Sequence, residues 1–234
     1  MSKNIIFTNS NKELYSDHYA PKPASDYLPE WYKKTPSYLT NQNDISFADN
    51  TPPFTIKKCI PVFDALTAGY ILVTPCDLVV KKMENGEIFY LTSIPNMIAM
   101  HKIEQAVYHP YMNQHDYPKW VNPWGIKTPP GYSCLFIPPV HGGNQLFTIA
   151  EGVVDTDTYN SPVNFPFILN DINFEGLIPA GTPIVQIIPF KRDDWKMSLG
   201  SEKDVDKLKL HASTLMVKYF NRYKSLFWHK KSYR

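Results

Sequence analysis

The chain has 234 residues and a formal net charge of only +2, with 43% hydrophobic, 20% charged and 14% aromatic residues. That balance excludes a disordered polymer, makes no electrostatic case for nucleic acid, and contains no apolar run near the roughly 18 residues of a membrane-crossing helix. Proline is the unusual component, at 21 residues; this density breaks long helices and favours short strands and ordered loops, while the aromatics supply buried area.

Residues 1–55 are polar and dotted with proline and aromatics, as in APKPASDYLPEWYKKTPSY. They read as an extended arm lying on the body or on a neighbouring subunit, with one helical turn near Pro29-Glu30-Trp31-Tyr32, since proline suits a first helical position. The start of the chain has a short apolar patch but no signal-peptide core, so an intracellular protein is expected. Cys59, Cys76 and Cys134 are widely spaced and lack metal-type pairing, and read as buried thiols in a reducing compartment.

From Thr55 the pattern becomes β-rich: TIKKCIPVF, GYILVTP, CDLVVKKM and EIFYLTS. Asn85-Gly86 tolerates the positive φ angles of a tight turn, so residues 77–92 are predicted as a hairpin. A brief helix is predicted near 97–105, followed by an aromatic loop. Strands follow at 132–137, 145–150, 152–154, 163–169 and 183–190. From Glu202 to about Trp228 there is no proline or glycine. There Leu208, Leu215, Tyr219, Phe220, Tyr223 and Phe227 fall on a helical period, with Ser201 as N-cap and Asp204 at the third helical position. One long amphipathic helix is the expectation. The boundaries implied are an arm at 1–55, a core at 56–200 and a basic helix at 201–234.

Four pieces of the β core stand in a telling order. Thr67-Ala68-Gly69-Tyr70-Ile71-Leu72 comes first, then Thr128-Pro129-Pro130-Gly131-Tyr132 with Pro139-Val140-His141-Gly142. Gly152-Val153-Val154-Asp155-Thr156-Asp157-Thr158-Tyr159 and Gly181-Thr182-Pro183-Ile184-Val185-Gln186 complete the series. Together they resemble the successive motifs of the trimeric dUTPase and dCTP deaminase superfamily. The resemblance implies a β-clip fold, a compact barrel and a homotrimer whose subunits exchange terminal segments. It also implies that Asp155 would orient water and that Tyr159 would underlie a sugar, with Gln186 retained beside them.

The matched catalytic motifs are degenerate. Where the family has a magnesium-holding aspartate this chain has Ile71, which cannot serve a cation that demands oxygen ligands. The family's phosphate-binding arginine and serine fall on Val140 and His141, and valine offers no charge to phosphate. The whole chain also looks like uncharacterised proteins of large tailed phages, which implies a viral setting in the host cytoplasm or the virion.

Among the polar constellations, Asp155 and Asp157 suit either a water-positioning pair or a turn that caps its own backbone. His101, His109 and His115 lie near Tyr108, Tyr111, Asp116 and Tyr117 but without metal-ligand spacing, so no metal site is expected. His141 beside Gly142 and Gly143 suits a ligand loop or a plain turn between strands. Trp120, Trp124 and Tyr117 with Lys119 and Lys127 suit a base-stacking surface or an aromatic loop packed on the core. Lys218, Arg222, Lys224, Lys230, Lys231 and Arg234 suit a solvated face or an acidic partner.

Two functions follow. The first is a non-enzymatic phage protein with a dUTPase-like body, acting in assembly or binding another protein through its arm or helix. The alternative is a nucleotide-binding or nucleotide-hydrolysing protein with Asp155, Asp157, Tyr159, Asn164, Gln186, His141 and Gly142 around a reduced site. Only that alternative calls for magnesium, and neither calls for a membrane.

Overall fold

A computed structural model describes residues 3–9, 19–39, 54–110, 112, 116–216 and 223–234, with backbone alone over 211–216. In chain order the elements are β1 (Ile6–Asn9), β2 (Lys22–Pro23), α1 (Glu30–Lys34), α2 (Ile60–Leu66), β3 (Tyr70–Val73), β4 (Leu78–Lys82), β5 (Ile88–Thr92), β6 (Ile98–His101), β7 (Tyr117–Trp120), β8 (Trp124–Lys127), β9 (Tyr132–Ile137), β10 (Phe147–Ile149), β11 (Gly152–Val154), β12 (Phe165–Leu169), β13 (Gly176–Ile178), β14 (Pro183–Lys191) and α3 (Glu202–Met216). The protein is mainly β. Among the described residues the strands form four antiparallel sheets, ordered β11-β9-β14-β3-β2, β10-β12-β7-β6, β13-β4-β5 and β1-β8.

None of these sheets closes on itself, so the compact barrel expected from the sequence is replaced by open sheets. Closure needs an unbroken ladder around the ring. Most of these strands have five residues or fewer, and prolines such as Pro118, Pro166 and Pro183 cannot donate to a ladder.

The chain divides into two compact units. One comprises Met1–Lys34, Ala65–Lys191 and Tyr233–Arg234, and the other Thr35–Asp64 and Arg192–Ser232. Within the first, β14 is the organising strand. It pairs with β9 from Gln186↔Ile137 to Lys191↔Tyr132, and with β3 on its other side. Ile184, Val185 and Ile187 are buried there. Gly69 packs so closely on this strand that a Cβ would lie 1.9 Å from the Ile187 carbonyl oxygen, and its φ of +70° independently favours glycine.

The core behind β14 is aromatic. Trp120 stacks on Phe167 at 5.8 Å, Phe147 meets Phe167 at 5.0 Å, and Phe136 meets Phe165 at 5.8 Å. Such pairs add about 0.5–1.5 kcal/mol each beyond their area. The buried Trp120 indole N–H finds no hydrogen-bond partner among the described residues, a cost of about 1–3 kcal/mol carried by that packing.

Several sequence expectations meet their elements directly. The Asn85-Gly86 hairpin forms between β4 and β5, with Gly86 at φ 86° and Asn85 Oδ1 accepting from Glu87 N at 3.1 Å. Residues expected to form an arm supply β1, β2 and α1, with β1 pairing with β8 and β2 with β3. The helix predicted near 97–105 is instead β6 and a 3-10 turn at Ile103–Ala106. There β6 gains a full ladder against β7, which outweighs a weak local preference. The CIPVF run, read as strand, lies largely in α2.

In the second unit, Tyr38 bridges to Phe54, and Thr55 N donates to the Ser37 carbonyl at 3.2 Å. The Asp64 carboxylate accepts from Trp228 Nε1 at 2.9 and 3.0 Å and from Lys231. The C-terminal segment is regular helix over α3, with a wide helical turn at Tyr223–Phe227. Lys218, Tyr219, Phe220 and Arg222, expected on one continuous helix, lie outside the described residues. Asp204 caps the start of α3 by accepting from Ser201 N at 2.9 Å and Ser201 Oγ at 2.7 Å, so the cap runs from the third helical position back to Ser201.

Candidate functional site

The Asp155–Tyr159 segment follows β11, which pairs with β9 through Val154↔Cys134. That register sets Asp155 beside the start of β9, and its Oδ1 accepts from Ser133 Oγ at 2.6 Å. Asp157 Oδ2 accepts from Gly131 N at 2.8 Å. Between the two carboxylates, Thr156 is buried and its hydroxyl meets Thr128 Oγ1 at 2.8 Å and Cys134 Sγ at 3.3 Å. The Asp155 carbonyl accepts from Thr158 N and Tyr159 N at 3.0 and 2.9 Å, which closes the turn. The pair therefore clasps the Gly131–Ser133 corner from opposite sides of a buried threonine. Hydrogen bonds to ionised carboxylates are the stronger kind, so the clasp stiffens both loops. Burial pushes the Cys134 thiol up, against the hydrogen bond from Thr156, which keeps it a small buried apolar group.

The other expected residues are held elsewhere. Gln186 is buried, donates from Nε2 to the Ala65 and Ala68 carbonyls at 2.9 and 2.7 Å, and accepts from Val140 N at 3.2 Å. It pins the Thr67-Ala68-Gly69 turn and the Val140 turn to β14. His141 follows that turn at φ 54°, and its carbonyl accepts from Trp31 Nε1 at 2.8 Å, so α1 caps the loop holding Gly142 and Gly143. Asn164 Oδ1 accepts from Asn122 N at 3.0 Å. The side chain of Asn122 in turn holds both the N–H and the carbonyl of Trp124.

Register separates these groups. Asp155 bonds Ser133, while Gln186 lies opposite Ile137 on the same strand. Four residues of strand span roughly 13 Å. The structure thus brings Gln186 and His141 together at one end of β9, and Asp155, Asp157 and Tyr159 at the other. Each set braces a turn. Tyr159 is 46% exposed.

Trp120 and Trp124, weighed as a stacking surface, are strand residues in the core. His101 stacks on Tyr117 at 5.2 Å and shares a 2.8 Å hydrogen bond with Gln105 Oε1. His109 Nδ1 accepts from Met112 N at 3.2 Å. His115 and Tyr111 lie outside the described residues. No group of three or more His, Cys, Asp or Glu side chains able to hold a metal occurs among the described residues.

Two features escaped sequence reasoning. One is a cleft between β5, β7 and β12, for which the only forward signal was the aromatic content around Tyr117. The other is the segment after β14, where Trp195, Met197 and Leu199 are 91%, 88% and 91% exposed. Their alternation was the available signal. No protein-family model matches this chain, and no curated protein matches it either.

Proposed function

We propose that this is a non-enzymatic protein of a tailed phage that acts in assembly, built on a β-clip-like body resembling the trimeric dUTPase and dCTP deaminase superfamily, and that it self-associates as a homotrimer. It works in the host cytoplasm or as part of the virion. The observation that carries the reading is the exposure of Trp195, Met197 and Leu199. The three stand at alternate positions of one short segment, so they concentrate exposed apolar surface there. Val205, Leu208 and Leu210 in the first turns of α3 are exposed as well.

Burying a large apolar side chain stabilises by about 1.5–3 kcal/mol. Three in a row, followed by three more on the helix, are a strong drive to associate. A second copy is the economical partner, because closed homo-oligomers are the commonest assemblies.

The absence of family chemistry points the same way. Ile71, at the position matched to the magnesium-holding aspartate, is 3% exposed and packed with Ala24 and Val73. Val140, at the arginine position, uses its N–H on Gln186. The carboxylates of Asp155 and Asp157 are occupied by Ser133 and Gly131.

Sedimentation velocity tests the reading. The full chain should run as a trimer, and Trp195→Ser/Met197→Ser/Leu199→Ser as a folded monomer. A monomeric wild type, or an unchanged trimer in the variant, overturns it. A thermal-shift panel of nucleotides with magnesium should be flat; a nucleotide at a hundred times its dissociation constant would raise stability by about 2.7 kcal/mol and revive a nucleotide site.

A further inference from the structure

We infer that the outward face of the β13-β4-β5 sheet receives the exposed apolar segment after β14 of a second copy, so that subunits join head to tail. This contact rests on the assembly reading and names the surface that the segment meets.

An antiparallel sheet with one solvated face sets apolar residues toward the core and polar ones toward water, because successive side chains alternate. One face of this sheet obeys: Leu78, Val80 and Ile178 are 0%, 1% and 0% exposed. The opposite face does not. Leu177, Leu91 and Phe89 lie on it, 52%, 53% and 45% exposed, with half-buried Val79 among them. Register makes them neighbours. Leu177 stands opposite Val79, Val79 opposite Leu91, and Phe89 is two residues from Leu91 on the same side of β5. Directly paired side chains lie about 4.5–5.5 Å apart at Cβ, so these residues form one continuous apolar patch. Contiguous exposed apolar surface marks a contact site.

Charge does not choose the occupant. At one end of the sheet Lys81 and Lys82 stand against Glu84, Glu87 and Glu175, and the Glu175 carboxylate accepts from Lys82 N at 3.2 Å. The margin is therefore close to neutral, and apolar burial is the available attraction.

The segment after β14 has the matching character. Arg192 and Lys196 balance Asp193 and Asp194, while Trp195, Met197 and Leu199 are 91%, 88% and 91% exposed. Four residues of chain reach at most roughly 13 Å, and the outer two strands of the sheet lie about 10 Å apart, so segment and patch are of one size. Packing the segment on its own copy in a neighbour leaves the sheet face in water. Packing face on face leaves the segment there. Only the contact between the two different patches covers both, and such heterologous contacts close into rings when the rotation allows.

Sedimentation velocity of two full-length variants tests this contact. Leu91→Ser/Leu177→Ser changes exposed side chains of the face, and Trp195→Ser/Met197→Ser/Leu199→Ser changes the segment. Each alone should run as a monomer. An equimolar mixture should form a one-to-one dimer, because one intact face then meets one intact segment and no further contact remains. A trimeric face variant beside a monomeric segment variant would overturn the inference and leave assembly through the segment standing. A trimeric segment variant would overturn both, and two monomeric variants that do not pair would overturn the head-to-tail contact. Photo-crosslinking leaves the face unaltered and so does not depend on folding of the face variant. With p-benzoyl-phenylalanine in place of Trp195, light should join one copy to residues 79–91 or 177 of another, read as peptides linking isotope-labelled and unlabelled chains. Links between copies only at the segment itself, or none between copies, contradict the inference.

Discussion

Pro183–Lys191 and the residues that follow it, Arg192–Gly200, are consecutive, and both include large apolar side chains. The first stretch is a strand with a partner on each side, and Ile184, Val185 and Ile187 are buried. In the second, Trp195, Met197 and Leu199 stand almost wholly in water. Apolar content alone does not bury a segment; it must also find a ladder and a facing surface. β14 finds both within its own unit. A stripe that does not is either a liability or an interface, since exposed apolar patches mark binding surfaces. Substitutions in the two stretches should accordingly separate folding from association.

The largest effect should come from Ile187→Ala. Ile187 is fully buried at the centre of the β14 ladders, and truncation should cost about 2–5 kcal/mol of unfolding free energy in urea titration. A smaller loss would mean that the core is not organised around this strand.

Next in size is Ser133→Ala. It removes the hydroxyl that donates to Asp155 and loosens the clasp on the β9 corner. The expected loss is about 1.5–3 kcal/mol, the scale of a hydrogen bond to a charged group. In a double-mutant cycle, Ser133→Ala and Asp155→Ala should be coupled, because the two side chains share this hydrogen bond.

Smaller again is a pH effect at Tyr90. Its folded pKa of about 12 exceeds the ordinary 10.0 because of burial. Below pH 10 the phenol is protonated in both states. Above it the unfolded chain loses the proton first, so stability falls as pH rises from about 10 to about 12. Tyr90→Phe should flatten that part of the alkaline stability profile; an unchanged slope would mean that the hydroxyl is solvated.

The smallest effect on folding should be Trp195→Ser/Met197→Ser/Leu199→Ser. At exposed positions the unfolding free energy of the monomer should move by no more than about 0.5 kcal/mol, while self-association is lost. A large loss of stability in the monomer would place those side chains in a core instead.

How much of this was legible follows from the range of the forces involved. The Asn85-Gly86 hairpin was readable because its signal is local and steric. β9 and β14 were readable because their apolar runs are long. β1 and β2 were not, because strands of four and two residues are defined by partners, β8 and β3, far along the chain. α2 was misread because β-branched Ile60 and Val62 weigh toward strand in any local reading.

Asp155 and Asp157 stood out as a pair, and the capping alternative was visible. Their partners Ser133 and Gly131 lie 22 and 26 residues away, so only tertiary structure shows the clasp. Gln186 was picked out by resemblance, yet its three hydrogen bonds show it bracing two turns. The stripe after β14 was visible as alternation, but alternation does not say whether the apolar side faces protein or water.

Hydrogen exchange across Arg192–Ser201, followed as a function of protein concentration, is the most direct test of assembly through this stripe. Self-association predicts amide protection that grows as the chain is concentrated and disappears in the triple serine variant. Rapid exchange at every concentration, with the wild type still sedimenting as an oligomer, would contradict it and assign the contact to another surface.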